Sequence, residues 1–296
     1  MTAPADTVAT LTLSGAEADP RALYDALADT GFVVVTEHGI DLSRLHDAYA
    51  EVEAFFALPE AEKRSYMVGR DGQRGYTPFG REHAKDARAP DLKEFWHVGR
   101  DGIAPNVWPT APSGFERQVA WLYDALDTLG LRLLRALTRP LGVASDAFDE
   151  MAGGGNSVLR LLHYPPLAAD ADPAAVRAAA HEDINLITLL VSASAAGLEL
   201  RDRGGVWRAV DAPPDSVVVD VGDMLSRITN GALPATTHRV VNPAGPNTSR
   251  YSMPFFLHPR PDAVLSVIER YRDGTEAPDI TGGDFLAERL RQIGLS

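Results

Sequence analysis

A β-sandwich or barrel of jelly-roll type with helices ahead of it, mixed β with helices, is the fold class that this 296-residue sequence predicts. Three observations carry the expectation. Beyond a glycine run at 153–155, seven or eight short strand-like runs follow one another with turns between them and few helical stretches. Ahead of that run, residues 114–139 keep a helical period, and the opening of the chain alternates helix, strand and helix.

Taken in order, apolar residues recur at helical spacing from Pro20 to Ala28 and again from Asp41 to Leu58, where Leu45, Ala48, Val52, Phe55 and Phe56 share a face. Between these helices GFVVVTEHG predicts a short buried strand. The segment RDGQRGYTPFGREHAKDARAPDLKEFW, from Arg70, is rich in Gly, Pro and charge, as expected of an irregular excursion over a surface or a cleft. Residues 114–139 form one long helix through Val119, Leu122, Leu126, Leu129, Leu133 and Leu137, expected to close before Pro140. The runs SVLRLLHYPP, NLITLLVSA, LELRD, VWRAV, SVVVDVGD, HRVVNP and RYSMPFFLHP then supply the strands, with RDRGG and DAPPD as turns.

Composition narrows the function. A hydrophobic content of 45% is ample for a core, and 28 basic against 41 acidic residues give a formal net charge of -13, which argues against nucleic acid as a partner. Cysteine is absent, which excludes a disulfide framework, a thiolate nucleophile and a zinc site built on sulfur. Any transition metal must be held by His, Asp or Glu. The N-terminus lacks the basic start and apolar core of a signal peptide, and no uncharged apolar run reaches the roughly 18 residues of a membrane span. A cytoplasmic protein without a membrane partner is therefore expected. The triplet Asn247-Thr248-Ser249 reads as loop, and the glycine run is no phosphate loop because no Gly-Lys-Ser/Thr follows it.

The stretch HEDINLITLL, residues 181–190, places His181 and Asp183 two positions apart at the head of an apolar run. In a strand such residues share a face, so both can aim at one ion while Glu182 points away. The triplet is weak alone, but His238 in TTHRVVNP opens a later strand and completes a set of two imidazoles and one carboxylate. That is the facial triad of non-haem Fe(II), which leaves three positions open. Twelve residues on, Arg250 and Ser252 again share a strand face and suit a carboxylate, which a guanidinium grips with two parallel hydrogen bonds.

The order H-x-D, His, R-x-S, with LHYPP upstream and DTGFVVVTEHGI near the start, resembles the isopenicillin N synthase-like family of Fe(II)/2-oxoglutarate-dependent oxygenases. FFALP, RGYTPFG and DLKEFW extend the resemblance over residues 20–290 or so. It implies a double-stranded β-helix with an N-terminal helical cap: a cap region over 1–112, a supporting helix over 113–150 and a jelly-roll domain with a C-terminal helix over 151–296. It also implies His181, Asp183 and His238 as iron ligands. Arg250 and Ser252 would then bind the far carboxylate of 2-oxoglutarate, with Tyr164 of LHYPP assisting. Leu162 departs from the pattern, since many plant members carry Asn there. The implied reaction consumes 2-oxoglutarate and O2, releases succinate and CO2 and hydroxylates a small molecule, with desaturation or ring closure as variants and ascorbate assisting.

Arg160 shares the strand face of Leu162 and Tyr164, and a buried cation needs an anion, so it is either a substrate or co-substrate contact or half of a structural ion pair. Glu82 in FGREHA can meet a substrate amine from the cap or stand as a solvated charge. His163 and His258 read as strand-end residues without a role. The expected substrate is an amino acid or a secondary metabolite. Two other readings stay open: an Fe(II) oxidase of the isopenicillin N synthase type, independent of 2-oxoglutarate, whose R-x-S grips the substrate's own carboxylate, and a non-enzymatic metal-binding module.

Overall fold

The computed structural model describes residues 8–68, 74–81, 91–167, 176–191, 193–243 and 245–292. The first half forms β1 (Thr10–Thr12), α1 (Leu13–Ala18), α2 (Pro20–Thr30), β2 (Phe32–Thr36), α3 (Leu42–Phe56), α4 (Glu60–Arg64), β3 (Gly75–Thr77), β4 (Glu94–Gly99), α5 (Phe115–Leu141) and α6 (Ala147–Ala152). The second half forms β5 (Val158–Tyr164), β6 (Ala178–His181), β7 (Ile187–Val191), β8 (Leu198–Arg201), β9 (Trp207–Ala209), β10 (Val217–Val221), α7 (Asp223–Ile228), β11 (His238–Val240), β12 (Arg250–Leu257) and α8 (Gly282–Gln292). Eight strands are present there against the seven or eight expected, with β6 lying outside the seven runs that the sequence singles out, and the helix-strand-helix opening is α2, β2 and α3.

Eight strands make one sheet in the order β1-β2-β10-β7-β12-β5-β4-β3, and four make a second in the order β6-β11-β8-β9. Apart from the parallel β1–β2 pair, neighbours run antiparallel. Residues of both sheets line one pocket. Period-two alternation sorts the larger sheet into two faces. Ile187, Leu189 and Val191 of β7, Val217, Val219 and Val221 of β10, and Met253, Phe255 and Leu257 of β12 join one core with Leu122, Leu126 and Leu129 of α5. The residues between them, Thr188 and Leu190, Val218 and Asp220, and Ser252, Pro254 and Phe256, face the pocket. Helix and sheet approach closely at Gly130, where a Cβ would stand 2.4 Å from Leu257 Cδ1.

Two segments depart from the sequence expectation. The stretch after Arg70 is not irregular throughout, because β3 and β4 are the last two strands at one end of the larger sheet and β4 pairs with β5 along its whole length. Its strand character was masked by two buried polar residues, Glu94 and His97, among Phe95, Trp96 and Val98. Helix α5 also runs through Pro140 to Leu141. A proline in the last turn forfeits only one backbone bond, so the helix ends instead at Gly142, whose φ of 72° is the left-handed cap glycine supplies readily.

Candidate active site

His181 and Asp183 do not share a strand. His181 closes β6, while Asp183 stands in the connection to β7, with Glu182 exposed between them. The backbone around the start of α7 fixes that connection: Asp223 N donates to Asp183 O (2.7 Å), Met224 N to Asn185 O (3.0 Å) and Gly222 N to Leu186 O (3.0 Å). Asp183 is thus oriented by a neighbouring chain reversal, not by strand pleat. His238 begins β11 directly opposite His181 in the register of the smaller sheet.

The three side chains converge. Asp183 Oδ1 lies 3.7 Å from His181 Nε2 and 3.8 Å from His238 Nε2, and one donor atom of each residue falls within 4.8 Å of the others. Each imidazole spends Nδ1 on a backbone carbonyl, His181 on Ala179 (2.7 Å) and His238 on Thr236 (3.1 Å). The proton therefore sits on Nδ1 and the Nε2 lone pair is left for an ion. Thr188 donates its hydroxyl to Asp183 Oδ2, and Asn185 Nδ2 donates to Thr188 Oγ1 at 2.9 Å. Burial works to raise the Asp183 pKa, but His238, His181, the Thr188 hydrogen bond and the Arg160 guanidinium outweigh it and hold the carboxyl below the ordinary range. Burial, and then His181, lower His238, which favours the neutral ring that binds metals. Two Nε2 lone pairs and one ionised carboxylate fit a divalent transition ion, Fe(II) included.

Across the pocket β12 presents Arg250 and Ser252. Arg250 is 1% exposed, and it donates from Nε to Ala195 O (3.0 Å) and from Nη1 to Ser252 Oγ (3.1 Å). No acidic side chain pairs with it among the described residues. Tyr164, opposite Arg250 in the β5–β12 register, lies with its ring centroid 5.1 Å from the guanidinium carbon. Arg160 reaches the pocket from the same face of β5, between the rings of Phe95 (4.5 Å) and Phe256 (5.4 Å), with Nε on His97 Nε2. Glu82 lies outside the described residues.

Several pocket residues had no place in the sequence reading. Lys93, bridged to Asp91 at 2.8 Å, lines the wall, as do Thr188 and Asp220. Burial first, and then the charge on Asp183, push Asp220 well above the ordinary carboxylate range. A lone Asp in the run VVVDV was the available signal. The two histidines read as idle strand ends are also buried. His163 Nδ1 is 2.7 Å from Glu94 Oε1 and Nε2 is 3.1 Å from Ser249 Oγ, in a cluster where Lys63 (2.7 Å) and the Tyr76 hydroxyl also bind Glu94.

A jelly roll with two imidazoles, one carboxylate and a facing buried guanidinium has the fold and donor set of a non-haem iron oxygenase. Residues 10–111 match the family described as non-haem dioxygenase in morphine synthesis N-terminal, and residues 155–259 match the 2OG-Fe(II) oxygenase superfamily. Proline hydroxylase buaE of Petromyces alliaceus is 33% identical, with 93% of each chain covered, and 2-oxoglutarate-dependent dioxygenase citB of Monascus ruber is 32% identical, with 89% of this chain and 86% of that one covered. A solved 2OG-Fe(II) oxygenase family protein from Caulobacter crescentus is 39% identical with a TM-score of 0.87, over 97% of this chain and 99% of that one. Neurospora crassa T7H in complex with alpha-KG and thymine is 26% identical with a TM-score of 0.86, over 96% of each. The chain belongs to the 2OG-Fe(II) oxygenase superfamily. It is an Fe(II)- and 2-oxoglutarate-dependent dioxygenase with O2 as co-substrate, and neither the 2-oxoglutarate-independent oxidase nor the non-enzymatic module is favoured. No helix among the described residues is long and apolar enough to cross a membrane.

Proposed function

We propose that His181, Asp183 and His238 hold Fe(II), that Arg250 and Ser252 with Tyr164 beside them grip the far carboxylate of 2-oxoglutarate, and that the enzyme hydroxylates an amino acid or secondary metabolite bearing an anionic group. The observation that carries this reading is the pairing of a three-donor cluster on one wall with a buried guanidinium on the other that has no acidic partner among the described residues. Two neutral imidazoles and one carboxylate leave a divalent ion one positive charge in excess, which the carboxylate of a 2-oxo acid balances. The iron, when bound, supplies O2 activation and the oxidative decarboxylation that yields succinate and CO2. Arg250 and Ser252 orient the co-substrate along the pocket. Arg160, held between two aromatic rings, offers its guanidinium to the substrate's anionic group, in keeping with the amino acid that the name of the proline hydroxylase relative implies. Phe32, edge-on to the His238 ring at 5.7 Å, helps keep water from that side of the cluster.

Succinate release from 2-oxoglutarate with Fe(II), O2 and ascorbate tests the reading, even uncoupled from a primary substrate. Wild type should form succinate and Asp183→Ala should not. Undiminished Fe(II) affinity in Asp183→Ala would sink the metal assignment, because an ion held by three side chains cannot lose its charged ligand unnoticed.

A further inference from the structure

Two buried arginines lie against Tyr164. The Arg250 guanidinium carbon is 5.1 Å from the ring centroid and that of Arg177 is 6.0 Å from it, and the two side chains are 1% and 2% exposed. Arg177 precedes β6 and does not itself line the pocket, but its neighbours Ala178, Tyr164 and Arg250 do. Its Nη2 donates to Thr248 O at 2.6 Å, two residues ahead of Arg250, and its buried Nε meets no acceptor among the described residues. No carboxylate pairs with either guanidinium among those residues. Burial, and then the charge of Arg250, disfavour the protonated form of Arg177, so the two cations beside the ring repel each other. A pair of this kind calls for an anion. One carboxylate close to Arg250 would relieve the repulsion between the two, leaving a single net positive charge.

We propose that Arg177 is a positioning residue for the co-substrate, its charge adding to that of Arg250 so that the site selects a 2-oxo diacid over a 2-oxo monoacid of the same length. The proposal rests on the assignment of Arg250 to the far carboxylate. Arg177 can act by two routes. Its hydrogen bond to Thr248 steadies the approach to β12, which would help any ligand of that wall. Its field, unscreened by water in a buried setting, helps only a ligand with negative charge at the far end.

Calorimetric titration of the anaerobic, Fe(II)-loaded full chain with 2-oxoglutarate and with 2-oxopentanoate, the five-carbon acid lacking the far carboxylate, separates the routes. Arg177→Gln keeps an N–H donor and loses the charge, whereas Arg177→Lys keeps the charge. For a unit charge acting through an interior of effective dielectric about 20, the Gln variant should bind 2-oxoglutarate about tenfold more weakly and 2-oxopentanoate within about twofold of wild type. The Lys variant should recover most of the loss. Equal weakening of both acids, or no weakening of 2-oxoglutarate, overturns the proposal. Arg177→Met takes the place of the Gln variant should that one lack a cooperative thermal transition. If wild type binds both acids equally and Arg250→Ala binds 2-oxoglutarate as wild type does, the assignment of Arg250 fails and the proposal falls with it.

Discussion

Replacing Gly222 with Ala should weaken iron binding without touching a ligand. Gly222 has φ -92° and ψ 171°, an ordinary extended backbone, so conformation is not the obstacle. Space is. A Cβ there would stand 2.2 Å from both the carbonyl oxygen and Oδ1 of Asn185, against the 3.4 Å or more of ordinary contact. The Asn185 side chain can turn away only by giving up its bond to Thr188, which itself donates to Asp183. The carbonyl can retreat only by stretching the bonds from Met224 N to Asn185 O and from Asp223 N to Asp183 O. Both escapes displace the carboxylate that completes the triad. Overpacking of this kind costs about 1–3 kcal/mol. If the loop relaxes in the metal-free protein and must be forced back to bring the donors together, the cost appears as Fe(II) affinity lowered by about 5-fold to 150-fold. Anaerobic titration against a competing chelator reads it directly, and thermal melts with and without metal show where the strain sits. A melting temperature that falls while Fe(II) affinity stays within about twofold of wild type would refute the coupling between Gly222 and Asp183.

Arg250→Ala should weaken 2-oxoglutarate by about 30-fold to several thousand-fold, the cost of truncating one member of a buried charge pair, with Fe(II) binding nearly untouched in calorimetry. Arg250→Lys should fail substantially too, since an ammonium cannot reproduce the two-pronged grip, and an unchanged 2-oxoglutarate affinity in the Ala variant would end the assignment. A chain beginning at Gly153 should be insoluble or unfolded, because it lacks β2 and β4, the partners of β10 and β5, and the helix that covers the core face; a cooperative melt with normal iron binding would contradict this. Burial lowers His258 from 6.5 to about 4, so the unfolded chain takes up a proton that the folded one refuses. Stability should be full above pH 6.5 and fall as the pH drops toward 4, by about 3 kcal/mol; denaturant melts at both ends of that window should show the loss in wild type, and an equal loss in His258→Leu would count against the cause.

What the sequence made legible was whatever depends on local spacing. Arg160, Leu162 and Tyr164 share a face because β5 is a regular strand, and Arg250 and Ser252 do so for the same reason. His181 and Asp183 do converge, but not through same-face pleat, which does not apply to Asp183 because it lies beyond the end of β6. What stayed hidden depends on partners far along the chain. Glu94 is one of the charges that make the segment from Arg70 look irregular, and the partners that bury it, Lys63, Tyr76 and His163, lie far along the chain. Thr188 sits in a strand whose apolar pattern gives no hint that the polar member faces a pocket, and for Asp220 the lone acid in VVVDV was the one signal.

The residues proposed to hold the two ends of the co-substrate are fixed by different means. On β12, Arg250 and Ser252 alternate with Met253 and Phe255, so a slip of one residue would carry the guanidinium into the core and expose two large apolar side chains to the pocket. The core thereby sets the position of that wall to within the register of a strand. The two imidazoles belong to the smaller sheet, opposed across β6 and β11, whereas Asp183 lies on the segment that leads into β7 of the larger one. An ion bound by all three therefore ties the sheets together at one edge of the pocket. With that edge closed, the wall carrying Arg250 and the wall carrying His238 stand at a fixed separation, which a ligand gripped at both ends requires. Weakening the Asp183 connection should for that reason loosen the grip on 2-oxoglutarate as well as on iron, even though Arg250 is untouched.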